Sequence, residues 1–66
     1  MSKRWMTVDW PTVVERKHPS KAAAYRHVIE TKAAWLADRS RVNKITVKVS
    51  EDKGPWETYE RLNLND

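Results

Sequence analysis

The residues from Ser20 to about Arg39, SKAAAYRHVIETKAAWLADR, form the one long stretch with a helical period, and they contain neither glycine nor proline. A helix of this length needs a partner layer to cover its apolar side. The whole chain has only 66 residues with which to build that layer. A core of that size rarely supplies more than roughly 3–5 kcal/mol without a staple. With no cysteine in the sequence, neither a disulfide nor a thiolate metal site can serve. His18 and His27 are too few for a metal cage. Bulky packing or self-association is left, and four tryptophans suit both.

The helix start is well marked. Pro19 biases His18 away from helical geometry. Ser20 is suited to accept a hydrogen bond from a free first-turn N–H. Ala22, Ala23 and Ala24 are strong helix formers. On a helical wheel Ala22, Tyr25, Ile29, Ala33 and Leu36 form one stripe, enough by itself to cover a three-stranded sheet, so that a second stripe either wraps the sheet as well or faces another chain. Ala24, Val28 and Trp35 form a second, displaced by about 100° or more. Lys21, Lys32 and Arg39 lie between the two.

The flanks read as strands. From Arg4 to Lys17 residues alternate with period two, Met6, Val8, Trp10 and Val14 on one parity and Trp5, Thr7, Asp9 and Glu15 on the other. Pro11 has no N–H for a ladder, so it marks an edge, bend or bulge. The segment is one bent strand or two short ones, at about 4–10 and 12–17. Residues 43–50, NKITVKVS, are the clearest strand, with Ile45, Val47 and Val49 on one side and Lys44, Thr46 and Lys48 on the other. Glu51 to Pro55 is a turn around Gly54, the single glycine, which is expected at positive φ. Trp56 to Leu64 returns as another strand. Its pattern would bury Glu60 unless that residue lies beyond the helix or a bulge changes the facing.

These elements predict an α+β fold: residues 1–66 form a single β-α-β-β domain, a three-stranded, mostly antiparallel sheet with one helix on one face. The second sheet face is left bare. Residues 1–50 carry a net +7 and residues 51–66 a net −3, within the chain total of +4. A basic body with an acidic end suits a polyanion or a second copy of itself. No stretch approaches the roughly 18 apolar residues of a membrane span, so a cytoplasmic protein with no membrane contact is expected.

Two sets of candidate residues follow. Val28 and Trp35, on the second helical stripe, suit a protein interface, because a tryptophan on a helix flank is a common anchor. Trp5 on the outer sheet face and Trp56 at the hairpin tip extend that set. The alternative is a nucleic-acid surface. Lys44, Lys48 and Arg61 with Tyr59 on the outer face interleave cations and an aromatic ring. Arg16, Lys17 and Lys21 add positive charge where the helix begins. Catalysis has little support. No cysteine nucleophile is present, His27 with Glu30 reads as a surface pair, and no cofactor motif occurs.

In its short, basic, tryptophan-rich style, with the strand-to-helix join VVERKHPSKAAAYRHV at residues 13–28, the chain resembles small accessory proteins of actinobacteria and their phages. The resemblance implies a role in binding one host macromolecule. The expected function is therefore that of a non-catalytic binding module acting on a protein partner and forming a homodimer, with nucleic-acid binding as the alternative.

Overall fold

A computed structural model describes residues 3–64. Strand β1 (Lys3–Trp10) turns back into β2 (Val14–His18), helix α1 (Lys21–Leu36) crosses the sheet, and β3 (Lys44–Glu51) and β4 (Glu57–Asn63) close it as a hairpin. The chain is α+β with four strands rather than three, in the order β2-β1-β3-β4, every neighbouring pair antiparallel. The extra strand comes from the Arg4–Lys17 segment, which folds at Pro11 into two. The Trp10–Pro11 peptide is cis, and Val13 takes a left-handed φ of 55° to complete the reversal. β2 and β3 run parallel on either side of β1, so α1 is the crossover between them.

Local chemistry accounts for the ends of the helix. Ser20 Oγ accepts from the Ala23 N–H at 3.1 Å, the N-cap its sequence context predicts. At the other end Arg39 N donates to Ala34 O and Asp38 N to Trp35 O, with Asp38 at φ 59°. That is the Schellman pattern, built here on an aspartate instead of a glycine. Gly54 does not take positive φ. The turn instead uses Asp52 at φ 48° and Lys53 at 63°. Gly54 is required for a different reason: its N–H donates to Glu51 O at 2.7 Å, and a Cβ there would lie 2.9 Å from that oxygen.

Of the two stripes on its wheel, the helix turns the second toward the sheet and leaves most of the first outside. Ala24, Val28 and Thr31 are buried, and Trp35 packs beside them. Ile29 and Leu36 are 69% and 72% exposed, and Ala22 and Ala33 are also at the surface. The core comprises Trp5, Ala24, Val28, Ile45, Val47 and Leu64, with Tyr25, Trp35, Val42, Val49 and Leu62 around it. Val28 and Trp5 therefore belong to this chain's own core and Trp35 packs half-buried against it, the first of the two readings of the second stripe, and Trp5 lies on the helix side instead of the outer sheet face. Small Ala24 lets the helix come close to the sheet, which a stripe led by Ile29 and Leu36 would not.

β1 turns its more polar parity, Trp5, Thr7 and Asp9, toward the helix. Asp9 is 4% exposed and is answered from above. His27 Nε2 donates to its two oxygens at 3.0 and 3.2 Å, and Arg16 lies 3.8 Å away. Thr7 Oγ1 and His18 Nε2 are hydrogen-bonded at 2.9 Å, and the two imidazole rings sit 5.6 Å apart. His27 is thus part of the helix–sheet seam, not half of a surface pair with Glu30. Among the described residues no buried side-chain nitrogen or oxygen lacks a partner. No helix among them is long and apolar enough to cross a membrane.

A bulge in β4 resolves the facing of Glu60. Glu60 pairs with Val47 and Thr58 with Lys48, so Tyr59 is the extra residue. Tyr59 and Glu60 both reach the helix side. Tyr59 meets the Trp5 ring edge-on at 5.0 Å, and Tyr25 donates its hydroxyl proton to Glu60.

Candidate nucleic-acid interface

The pairing registers sort the strand residues onto the two faces of the sheet. On the face without the helix, β1 presents Arg4, Met6, Val8 and Trp10, and β3 presents Ser50, Lys48, Thr46 and Lys44 opposite them. β2 adds Lys17 opposite Met6 and Glu15 opposite Val8. β4 adds Thr58, Arg61 and Asn63 opposite Lys48, Thr46 and Lys44. The charges on this face are five cations (Arg4, Lys17, Lys44, Lys48 and Arg61) and one carboxylate, Glu15. On the helix side the strands carry two cations, Lys3 and Arg16, and four carboxylates, Asp9, Glu51, Glu57 and Glu60. The sheet separates its charge by face.

This face is not bare. Met6 and Val8 are 5% and 2% exposed although no helix lies over them. Their neighbours across the register are Lys17, Lys48, Glu15 and Thr46, residues whose alkyl stems are suited to cover apolar surface. An indole stands at each end. Trp10 is half-buried and donates Nε1–H to Thr46 Oγ1 at 3.1 Å. Trp56 is also half-buried, and the Arg4 guanidinium lies over its ring at 5.2 Å while its NH2 group donates to Ser50 Oγ. Arg4 to Trp10 spans roughly 20 Å at the rise of an antiparallel strand.

Four of the seven residues expected on a nucleic-acid surface, Lys17, Lys44, Lys48 and Arg61, are brought together here. The other three are not. Arg16 is turned to Asp9 on the helix side. Lys21 donates to the Tyr59 hydroxyl at 2.8 Å and lies over that ring at 5.0 Å, so both are on the helix side as well. The bulge is what moved Tyr59, and a period-two count cannot register one inserted residue. Of the four residues proposed as protein anchors, only Trp56 lies outside the helix-side core. Arg4 and Trp10 were missed. Both share a parity with Met6 and Val8, and that alternation was the available signal.

The titratable groups with shifted behaviour lie on the other side. Burial, with help from neighbouring His27 and Arg16, pushes His18 below the ordinary histidine range, while Asp9 opposes the shift. Burial and the hydrogen bond to Glu60 raise the Tyr25 hydroxyl well above its usual range, so it stays a donor. Among the described residues no group of three or more histidine, aspartate or glutamate side chains is placed to hold a metal ion. A shallow hollow of about 190 Å³ lies beside the β3–β4 turn, lined by Val49, Glu51, Gly54, Pro55 and Glu57.

No protein-family model, curated protein or solved structure matches this chain.

Proposed function

We propose that the protein is a non-catalytic binding module for single-stranded nucleic acid, engaged through the helix-free face of its sheet. The observation that carries this is the separation of charge, with Arg4, Lys17, Lys44, Lys48 and Arg61 against Glu15 alone on that face. Cations along a strand direction can follow a phosphate backbone, and half-buried indoles at both ends offer faces on which bases stack. An open sheet face suits a strand whose bases are free to splay, better than it suits the groove of a duplex.

The test is titration of a labelled single-stranded oligonucleotide over a salt series. Five phosphate contacts predict a slope of log K against log salt of roughly −3.5, a loss of about 100-fold between about 50 and 200 mM salt. Replacing Lys48 and Arg61 together by glutamine should reduce the slope by about 1.4. Arg39→Gln, in the loop after the helix, should leave it unchanged. A salt-independent or absent interaction at low salt would remove the proposal, and tighter binding to duplex than to single strand would replace its ligand.

The expectation of a protein-contact role loses Val28, Trp35 and Trp5 to the core. The apolar surface that does remain open lies elsewhere on the helix.

A further inference from the structure

The outer side of α1 carries exposed Ala22, Ile29, Ala33 and Leu36, with half-buried Tyr25 at its border, within one stripe of about 80°. Ile29 and Leu36 are among the most exposed large apolar side chains of the chain. Scattered apolar residues need no explanation, but this stripe has an internal order. Taken from Ile29, its members stand seven and four residues before and four and seven after. The positions are symmetric, and their sizes are complementary. Tyr25 mirrors Ala33, and Leu36 mirrors Ala22.

We propose that this stripe is a homodimer interface, in which α1 packs antiparallel on α1 of a second copy about a two-fold axis at Ile29. Ile29 then meets Ile29 of the partner subunit, and each bulky side chain faces an alanine. That is the large-against-small interdigitation that close helix packing requires, at an interaxial distance of about 8–10 Å. A parallel pair would set Leu36 on Leu36 and Tyr25 on Tyr25, leaving Ala22 and Ala33 over voids.

Charge fixes the same arrangement independently. Arg26 and Glu30 are exposed on one border of the stripe. With the axis at Ile29, Arg26 lies about 3 Å along the helix axis from Glu30 of the partner, on the same side of the interface. The contact occurs twice by symmetry. The partner is therefore another copy of this chain, recognised by a self-complementary stripe with reciprocal ion pairs at one rim. On the opposite border Tyr25 is held in place by its hydrogen bond to Glu60.

One helix on one helix is a small contact, at or below about 1,200 Å² in total, so the dimer is weak and concentration-dependent. The interface leaves the sheet's other face uncovered. The two basic faces of the dimer then point away from each other, and the proposal stands whether or not they bind nucleic acid.

Sedimentation equilibrium from about 5 to 500 µM, spanning the affinity a contact of this area supports, is the test. The wild-type mass should rise from 7.8 kDa toward twice that value. Ile29→Asp should stay monomeric throughout with an unaltered circular dichroism spectrum, since Ile29 makes no core contact. Leu36→Asp should do the same and serves if the first variant folds poorly. Arg26→Glu and Glu30→Arg should each weaken association several-fold, and the two together should restore it. A wild type that stays at monomer mass over the whole range overturns the proposal. So does an Ile29→Asp variant that associates as the wild type does. A double charge variant no tighter than either single one overturns the antiparallel arrangement.

Discussion

The roll of α1 over the sheet is tested by two adjacent residues. Val28 is 9% exposed and Ile29 69% exposed. Val28→Ala removes two methyl groups from the core it shares with Trp5, Ile45, Val47 and Leu64. At about 0.8 kcal/mol per group plus the cavity left behind, the loss is about 2–2.5 kcal/mol. For a core worth roughly 3–5 kcal/mol, that is about half of the total. The midpoint of thermal unfolding should fall by about 8–20 °C. Ile29→Ala removes more carbon but little contact, and alanine is the better helix former. Its effect should stay within about 0.5 kcal/mol of zero. Urea unfolding followed by tryptophan fluorescence reports both, because Trp5 and Trp35 sit in or against the core. The protein should be held at low micromolar concentration so that association through Ile29 does not contribute. A large loss for Ile29→Ala with little for Val28→Ala would refute the reasoning. It would mean that the helix is rolled by about one residue step, 100°, from the position described.

Two further outcomes follow from particular residues. His18 sits with His27, Arg16 and Asp9, and its pKa is depressed below the ordinary 6.5, chiefly by burial. The unfolded chain then binds the proton more readily than the folded one, so stability is full above that value and declines as pH falls toward the folded pKa. His18→Gln, which can still bond Thr7 but cannot titrate, should flatten the decline in urea midpoint between about pH 7.5 and 5.5, and an unchanged slope would show that His18 is not its source. Asp38 holds a left-handed backbone and a negative charge at the negative end of the helix. Asp38→Gly relieves both and should raise stability by about 1 kcal/mol, or about 4–8 °C in melting temperature, and a lower melting point would contradict the cap assignment.

Much of this architecture can be read from the chain. Ser20, the Ala22–Ala24 run, the alternation through Lys44–Ser50 and the break at Pro11 each act through local backbone chemistry, and local chemistry is visible in sequence. The helix phase was not legible for the opposite reason. Ile29 with Leu36 and Val28 with Trp35 give two stripes of comparable weight on a hydropathy wheel, and the sheet beneath selected the one that also carries small Ala24 and polar Thr31. Asp9 points up from β1 and must be met by His27, while Ala24 allows the close approach. That choice becomes visible only once β1 and α1 are superposed. The bulge at Tyr59 had a similar effect: one unpaired residue moved an aromatic side chain from the basic face to the helix side. The candidate surface kept the cations on regular strands and lost those beside irregularities.

An alanine-rich helix with two apolar stripes has two rolled positions of similar hydrophobic energy. Nothing in oil-like packing alone separates them by a wide gap. The clasps along its two borders do. His27 closes on Asp9 along one border, and Lys21, Tyr25 and Lys32 close on Tyr59, Glu60 and the Leu64 carbonyl along the other. These polar contacts add little to total stability, yet they decide which of two near-degenerate states is populated. Removing them together should leave a chain that still collapses and still contains helix, but no longer commits to one core. In so small a domain, uniqueness and stability are thus supplied by different atoms.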